Sequence, residues 1–253
     1  EARYLKAATE TASFLRLHLF DEVSGRLWHR WREGQRAVPG LADDYAFVAQ
    51  GLLDLYEAGG DAQWLDWALA LTATQQWLFA ATEGGLFMTA EDHDARLLAR
   101  LVEYADNVEP CASSVAAANL IRLWRLTQRE AFHEFAAKTL ERFGGLMDER
   151  PLSLPAMLSA VSLTLTPSLE IVVAGAPEDP VTQALVKEAQ RRFQPGRALL
   201  RLDAANRPNL LRIAPWVGDI PLGKTPRAFV CVDYSCGLPL ETAQALSERL
   251  DGR

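Results

Sequence analysis

The sequence predicts a mainly α protein, in which helical hairpins over residues 1–166 are followed by a small α/β unit over residues 167–253. Apolar residues recur at the i, i+3, i+4 spacing of amphipathic helices through the first part, and glycine-bearing turns separate the periodic stretches. After Pro167 the pattern changes to short β-branched runs that alternate with helical stretches. These patterns put the boundary between the two parts near Thr166.

Caps and glycines divide the helical part into its elements. Asp43 or Asp44 is the expected N-cap of one helix, which ends at Gly59-Gly60. Asp61 is the expected N-cap of the next helix, which ends near Phe79. The other predicted helices are an N-terminal one with an apolar stripe from Tyr4 to Leu19, one from Ser113 or Ser114 to Thr127, one from Glu130 to Phe143 that stops at Gly144-Gly145, and one from Ala156 to Ser162.

Three segments between these helices lack a helical pattern. Residues 25–31 are rich in aromatic side chains and predict a short strand or an extended loop. Gly84-Gly85 predicts a turn. Residues 97–104 lie within a polar stretch and predict either a short helix or an extended loop.

Helical hairpins joined by glycine-bearing turns indicate an antiparallel helical array. A single hairpin cannot bury its apolar stripe alone, so such units stack or close into a ring. About six helices of ordinary length fit in the first ~165 residues, whereas a closed toroid of six hairpins needs about twelve. The sequence therefore predicts a partial (α/α)6 toroid, with half of the ring missing from this chain.

The C-terminal part predicts a βαβ unit. Strand, helix and strand follow one another at the spacing of a parallel crossover, which indicates a parallel sheet. The predicted strands are Glu170–Ala174, Ala198–Leu202 and Ala228–Asp233, the predicted helices are Val181–Phe193 and Glu241–Leu250, and Pro208–Trp216 is ambiguous.

Composition and charge exclude several classes of protein. The chain has 253 residues, of which 49% are hydrophobic and 23% are charged, which is typical of a globular protein rather than a disordered or collagen-like one. Its net charge is −7, from 26 basic and 33 acidic residues, so we expect no nucleic-acid partner. No apolar stretch reaches the ~18 residues that a membrane helix needs, and no signal peptide is visible. We expect a soluble chain without a membrane partner, and no compartment is assigned.

The three cysteines do not form a recognisable framework. Cys231 and Cys236 are separated by four residues, which is neither the C-x-x-C spacing of a redox dithiol nor that of a zinc site. We expect ordinary reduced thiols, with a disulfide or redox pair as the alternative. Cys111 has no cysteine near it in the sequence.

Common catalytic and cofactor motifs are absent from the sequence. It contains no G-x-S-x-G elbow, no phosphate-binding loop and no G-x-G-x-x-G pattern. The cluster Glu91-Asp92-His93-Asp94 is more typical of a solvated loop than of a metal site, because its acids are consecutive. We therefore predict no cofactor and no metal.

Several stretches of the chain resemble one known family. They are Asp43–Val48 (DDYAFV), Gly51–Ala58 (GLLDLYEA), Trp64–Leu69 with Thr74-Gln75, Asp106–Leu120, and Ala228–Cys231 with Cys236 and Pro239. Together they resemble the spermatogenesis-associated protein 20 family, thioredoxin-domain proteins with a six-hairpin glycosidase-like body. The resemblance covers essentially all of the chain, in order.

This resemblance carries expectations about partners and ligands. In full-length relatives a thioredoxin-like domain and the first hairpins of an (α/α)6 barrel accompany the region, so this N-terminal half-barrel and thioredoxin-like domain are the expected partners. The barrel is similar to those of sugar 2-epimerases and glycosidases, which makes a sugar the expected ligand. The chain departs from the family pattern at Val102, Asn107, Cys111 and Ser113, where the family has Lys, Gly, Ser and Asn.

A carbohydrate-type site would need paired carboxyl groups and aromatic side chains. The candidate catalytic residues are Asp44, Asp106 and Glu103. The candidate ligand-binding residues are Trp28, Trp31 and Tyr45 for stacking, and Arg32 and Arg100 for a hydroxyl or carboxylate. The alternative for Asp44 is an ordinary helix cap, and the alternative for the tryptophans is loop packing.

Two functions follow from these observations. The first is a non-catalytic scaffold, or partner domain, of a thioredoxin-like module, and the second is a carbohydrate-active pocket built from acidic loops. We favour the scaffold because no complete acid–base set is visible and because half a toroid does not enclose a substrate. Its exposed apolar faces would need a covering partner. We therefore expect the isolated chain to dimerise or aggregate.

Overall fold

The expected cap is right for α3, which Asp61 begins, and wrong for α2, whose N-cap is Leu41 and not Asp43 or Asp44 because the helix begins at Ala42. A computed structural model describes residues 2–252. The Leu41 amide donates to Asp44 at the start of α2, and Gly60 ends that helix in the left-handed region at φ 84°. Asp61 accepts a hydrogen bond from the Gln63 amide and caps α3. The helices of this part of the chain are α1 (Ala2–Leu19), α2 (Ala42–Gly59), α3 (Ala62–Phe79), α4 (Ala112–Thr127), α5 (Glu130–Glu149) and α6 (Pro155–Thr164).

The described chain divides into two compact units. The first comprises residues up to Ile121 together with Ala131–Ser162, and the second comprises Arg122–Glu130 together with the residues from Leu163 onward. In the first unit, α2 and α3 are joined by a short connection and form a helical hairpin. The largest side chains that this unit buries almost completely are Tyr45, Tyr56, Phe79, Phe143, Leu53, Leu65, Leu71, Leu86, Leu120 and Ile121.

A small antiparallel sheet follows α1 in the first unit. It contains β1 (Phe20–Asp21), β2 (Arg26–Arg32) and β3 (Gln35–Pro39), in that order. The aromatic segment at residues 25–31 is thus a strand, one of the two alternatives that its composition indicated. Residues 97–104 form no helix, so the extended loop is the right alternative. Val102 in this loop makes an isolated antiparallel bridge with Phe87.

The second unit is a four-stranded sheet with flanking helices. Its elements are β4 (Leu169–Ala174), α7 (Pro180–Arg191), β5 (Arg197–Leu202), α8 (Arg207–Ile213), β6 (Arg227–Val232), β7 (Ser235–Cys236) and α9 (Ala243–Asp251). The strand order is β5-β4-β6-β7. The core on one face of this sheet is apolar and comprises Leu169, Ile171, Val173, Leu185, Val186, Ala189, Leu199, Ala228, Val230, Leu246 and Leu250.

The expectation of a parallel sheet is right for one pair of strands and wrong for the next. β4 and β5 are parallel and connected through α7, as a βαβ unit requires. β6 is antiparallel to β4, because the long connection through α8 and a 3-10 turn at Pro215–Asp219 returns the chain in the opposite direction. This connection also resolves the ambiguous segment Pro208–Trp216 into a short helix and a turn.

Two further expectations are corrected. α5 continues through Gly144-Gly145 to Glu149, because neither glycine adopts the positive φ that would end the helix. Cys231 and Cys236 form a disulfide rather than two reduced thiols. The antiparallel pairing of β6 with β7 sets these two residues directly opposite each other, with Cα atoms 3.9 Å apart.

Each predicted helix has a counterpart in the described chain, which is about 54% helical with nine α-helices among residues 2–252, and the chain is mainly α as predicted. None of the helices in the described range is long and apolar enough to cross a membrane.

Candidate functional site

A histidine–carboxylate pair lies at the start of α2. His29 on β2 places its Nδ1 atom 3.0 Å and 2.9 Å from the two carboxylate oxygens of Asp44. The same carboxylate accepts a hydrogen bond from the Leu41 amide at 2.7 Å, so Asp44 both caps the helix and orients the imidazole. Because Nδ1 takes up the contact with Asp44, Nε2 is the ring nitrogen left to exchange a proton with a ligand.

Asp43 stands next to this pair and is half-buried. Loss of solvent raises the pKa of the Asp43 carboxyl above its usual range, and the negative charges of Asp44 and Glu109 raise it further. The charge of His29 acts in the opposite direction. His29, Asp43, Asp44 and Glu109 therefore form one electrostatically coupled cluster, which we call the α2 acid cluster.

Asp106 has a different environment. Its Oδ1 atom accepts a hydrogen bond from the Cys111 amide at 2.9 Å, and its Oδ2 atom accepts one from the Ala156 amide at 2.8 Å. Its own amide donates to the Ser153 carbonyl. The carboxylate therefore connects the loop before α4 to the first turn of α6, whose positive dipole end it faces.

The remaining charged candidates also contact the protein itself. Glu103 accepts a hydrogen bond from the Asn107 side chain at 2.9 Å. Arg100 donates to the carbonyls of Thr89 and Leu78 and lies 4.2 Å from the centre of the Phe87 ring. Arg32 is exposed and pairs with the neighbouring carboxylate of Glu33.

The aromatic candidates do not share one surface. Tyr45 is buried, accepts a hydrogen bond from the Leu27 amide and packs against Phe79. Trp31 stacks on His18 with ring centres 4.4 Å apart. Trp28 lies on the same strand as His29 and carries Arg36 over its ring, and its indole nitrogen is buried without a hydrogen-bond partner.

Other residues of the Asp106–Leu120 motif hold the backbone of the first unit. Ser113 accepts a hydrogen bond from the Leu86 amide, and Asn119 donates to the Ala46 carbonyl at 2.8 Å. The Cys111 thiol lies 3.2 Å from the Ser114 hydroxyl, and burial raises the pKa of this thiol. Each of these side chains therefore joins α4 or the loop before it to a neighbouring segment.

Sequence reasoning singled out Asp44 as a candidate catalytic residue and Asp43 only as a possible helix cap, and it did not pair either acid with His29. The strand pairing of β2 and the helix start at Ala42 bring the three together, and the His-x14-Asp spacing alone carries no signal for such a pair. The side chains of Asp106 and Glu103 bond to Cys111, Ala156 and Asn107 and not to the α2 acid cluster. Chemically, the cluster is suited to proton transfer. Among the described residues, no group of three or more His, Cys, Asp or Glu side chains is arranged to hold a metal.

The second unit contains a buried polar cluster that sequence reasoning missed. Glu170, on the otherwise apolar strand β4, is completely buried and accepts a hydrogen bond from the Tyr234 amide at 3.1 Å. Burial raises the pKa of its carboxyl, and the Arg125 charge lowers it in part. The sequence did contain one sign of this cluster, because Glu170 is the one acidic residue in the otherwise apolar run LEIVVA.

Comparison with known proteins identifies the relatives of this chain. No family model matches it. Spermatogenesis-associated protein 20 of Homo sapiens is 35% identical over 248 residues, which cover 94% of this chain and 32% of that protein. The proteins of the same name from Mus musculus and Rattus norvegicus are each 33% identical over 243 residues, which cover 92% of this chain and 31% of theirs.

The chain thus spans about a third of the length of these curated relatives. The match to the human protein extends over 94% of this chain. The protein belongs to the spermatogenesis-associated protein 20 family.

Proposed function

We propose that this region of the family acts as a non-catalytic scaffold that presents an apolar helical surface to a partner segment. The observation that carries the proposal is the environment of Asp106. Both of its carboxylate oxygens accept hydrogen bonds from backbone amides, those of Cys111 and Ala156. An acid held in this way orders the loop before α4, because each of its two oxygens is fixed by a backbone amide.

Other residues of the Asp106–Leu120 motif, and two candidate residues just before it, support the same function. Ser113 and Asn119 bind backbone groups, and Glu103 and Arg100 bind neighbouring side chains or carbonyls. A ligand site needs polar groups that are free to meet a ligand. The polar groups of this motif instead serve the internal structure of the first unit.

The surface of the scaffold is a groove between α1 and α2. It has a volume of about 350 Å³ and an apolar lining from Ala8, Thr11, Ala12, Leu15, Phe47, Val48, Gly51, Leu52 and Leu55. Ala12 is the only residue that α1 buries. Phe14 and Leu17 on the same helix are exposed. Such a helix is stabilised by an apolar partner that covers it.

The partner we propose is a helical segment from the remaining length of a longer family member. The curated relatives are about three times as long as the matched region, so most of their chain lies outside it. In this proposal the remainder contributes the N-terminal half-barrel, and the thioredoxin-like domain is carried by the same assembly. An apolar helix in the groove would pack against both α1 and α2 and add one more helix to the helical array.

The test of non-catalysis is a thermal-shift screen with sugars and sugar phosphates. A ligand that binds the folded chain raises its unfolding midpoint. We expect no member of the panel to shift the midpoint. A saturable shift that disappears in His29→Ala but persists in His133→Ala, whose histidine lies on α5, would overturn the scaffold proposal.

The alternative function is carbohydrate chemistry at the α2 acid cluster. The observation that favours it is the contact between His29 Nδ1 and Asp44, which fixes the ring for proton transfer through Nε2. Asp43, whose pKa is raised by burial, would act as the second proton-transfer group. The same screen tests this function, since a shift abolished by both His29→Ala and Asp44→Asn would support it.

A further inference from the structure

The second unit contains a cleft at one edge of its sheet. The cleft has a volume of about 560 Å³ and lies where the parallel strands β4 and β5 begin, so Leu169 and Arg197 both line it. The rest of its wall consists of Arg125, Thr166, Pro167, Ser168, Phe193, Gln194, Pro195, Gly196 and Val232. This volume falls within the range of small-molecule sites.

The charge of this cleft has one sign. Two arginines, Arg125 and Arg197, line it, and Nη1 of Arg197 donates to the Ala189 carbonyl at 2.7 Å. The residues that line it, all within the described range, include no carboxylate. Glu170 and Asp233 act on the charge of Arg125 but do not line the cleft. In a chain of net charge −7, such a wall favours an anionic ligand.

Arg125 is held in a fixed position. The residue is only 2% exposed, and its Nη1 atom donates to the Gly196 carbonyl at 2.6 Å. Its Nη2 atom donates to the carbonyls of Thr166 and Leu163. Gly196 has φ +80°, and a Cβ at this position would collide with the guanidinium, so the turn is shaped to accept the arginine. The arrangement is preorganised because the side chain has no other rotamer to lose on binding.

Polar atoms in this wall are left without partners. The Nε atom of Arg125 is buried and has no hydrogen-bond partner, and the same is true of Oε1 of Gln194. Buried polar groups are ordinarily satisfied by protein, water or ligand. The unmatched Nε donor of Arg125 favours an acceptor group at this end of the cleft.

The mouth of the cleft is apolar. Phe193 is 94% exposed there, next to Pro167 and Pro195. An isolated exposed aromatic is common on protein surfaces, but this one lies beside two arginines and a ligand-sized cleft. Together with Leu169 and Val232 it provides a surface for a hydrocarbon or aromatic body.

We propose that the cleft binds a small amphiphilic anion, in which a carboxylate lies beside Arg125 and Arg197 and an apolar body packs against Phe193. The site is separate from the α2 acid cluster and from the α1–α2 groove, since all of its residues belong to the second unit. The inference therefore does not depend on the scaffold function.

Calorimetric titration of the 253-residue chain with decanoate tests the proposal. Decanol lacks the charge and acetate lacks the apolar body, so they probe the two halves of the site separately. We expect saturable binding of one decanoate, and about tenfold weaker binding of decanol and of acetate. Absence of saturable decanoate binding, or equal affinity for decanol, would overturn the proposal.

Variants assign the binding to this cleft. Phe193→Ala should weaken decanoate binding about tenfold, whereas Leu238→Ala, which removes another side chain that is 87% exposed in the same unit, should leave it unchanged. Arg197→Gln should bring the affinities for decanoate and decanol together. Arg125→Met should also make the affinities for decanoate and decanol similar. If Arg125→Met does not fold, the Arg197→Gln variant alone tests the role of the charge. Unchanged binding in both Phe193→Ala and Arg197→Gln would mean that the ligand binds elsewhere.

Discussion

At the scale of single residues, Asp106 has the largest structural role among the candidate acids. Its carboxylate accepts from two amides that lie five and fifty positions along the chain. Asn at this position retains one acceptor and turns a donor toward the second amide. We expect Asp106→Asn to lower the free energy of unfolding by about 1–3 kcal/mol, as measured by urea denaturation.

Glu103 supplies the control for this prediction. Its hydrogen bond to Asn107 is exposed to solvent, so Glu103→Gln should change the free energy of unfolding by less than about 0.5 kcal/mol. Equal losses in the two variants would contradict the role that we assign to Asp106.

Glu170 makes stability depend on pH. Burial raises the pKa of its carboxyl in the folded state, so the folded protein holds the proton more tightly than the unfolded chain does. The favourable contribution of the protonated form is complete below the unfolded pKa, and it is lost as the pH rises through the folded pKa. Glu170→Gln keeps an acceptor for the Tyr234 amide but does not ionise.

We therefore expect the free energy of unfolding to fall less in Glu170→Gln than in the wild-type chain as the pH rises from 4 to 8. Urea denaturation at a series of pH values measures this difference. Ser168→Ala removes the hydroxyl whose hydrogen bond lowers the pKa of Glu170, so it should move the pH dependence of the wild-type chain to higher pH. Parallel curves for wild type and Glu170→Gln would show that this carboxyl does not carry the effect.

Residue roles could be predicted from sequence only where the partner is local. Asp61 caps α3 as its position indicates, because the amide that it binds lies two residues away. Asp44 binds the Leu41 amide three residues before it, from the third residue of α2 and not from the predicted N-cap position. The partner of Asp106 in α6 and the partner of Glu170 in the β6–β7 turn are distant in sequence. The pairing of His29 with Asp44 likewise depends on how β2 meets α2.

At the scale of elements, two glycines test how the helices are built. Gly51 lies inside α2, and an added Cβ would meet no atom within 4 Å. Gly51→Ala should therefore raise the free energy of unfolding by about 0.5–1 kcal/mol, since alanine costs less conformational entropy in a helix. Thermal denaturation with a two-state fit measures the change.

Gly84 is the contrasting position. Its φ is +93°, and a Cβ there would lie 2.5 Å from the Lys138 carbonyl oxygen. Gly84→Ala should lower the free energy of unfolding by more than about 2 kcal/mol. A neutral effect at Gly84, or a loss at Gly51, would show that these contacts are described wrongly.

The elements that the sequence predicted well have strong local signals. α2 and α3 have caps and a glycine stop, and β4 is a compact apolar run. The antiparallel direction of β6 was not predictable, because it depends on the path of a long connection. The Cys231–Cys236 disulfide was only the less favoured alternative, because the C-x4-C spacing does not show that a tight hairpin sets the two residues opposite each other. Asp233 and Tyr234 have positive φ and form the turn that sets the two cysteines opposite each other.

At the scale of the whole chain, exposed apolar surface predicts association. Val48 and Phe47 in the α1–α2 groove are partly exposed, and Phe14 and Leu17 lie on the outer side of α1. We expect the isolated chain to self-associate at micromolar concentration by sedimentation velocity, and Val48→Asp to shift it toward monomer. A monodisperse wild-type monomer that melts cooperatively would contradict this expectation.

The most direct test of the scaffold function uses a longer family member. This chain would be mixed with the separately expressed remainder of such a protein, and the complex measured by sedimentation. We predict a stable complex that Val48→Asp weakens about tenfold and that Val23→Asp, at a position 99% exposed and outside the groove, leaves intact. Absence of a complex, or equal weakening by both variants, would contradict the scaffold function.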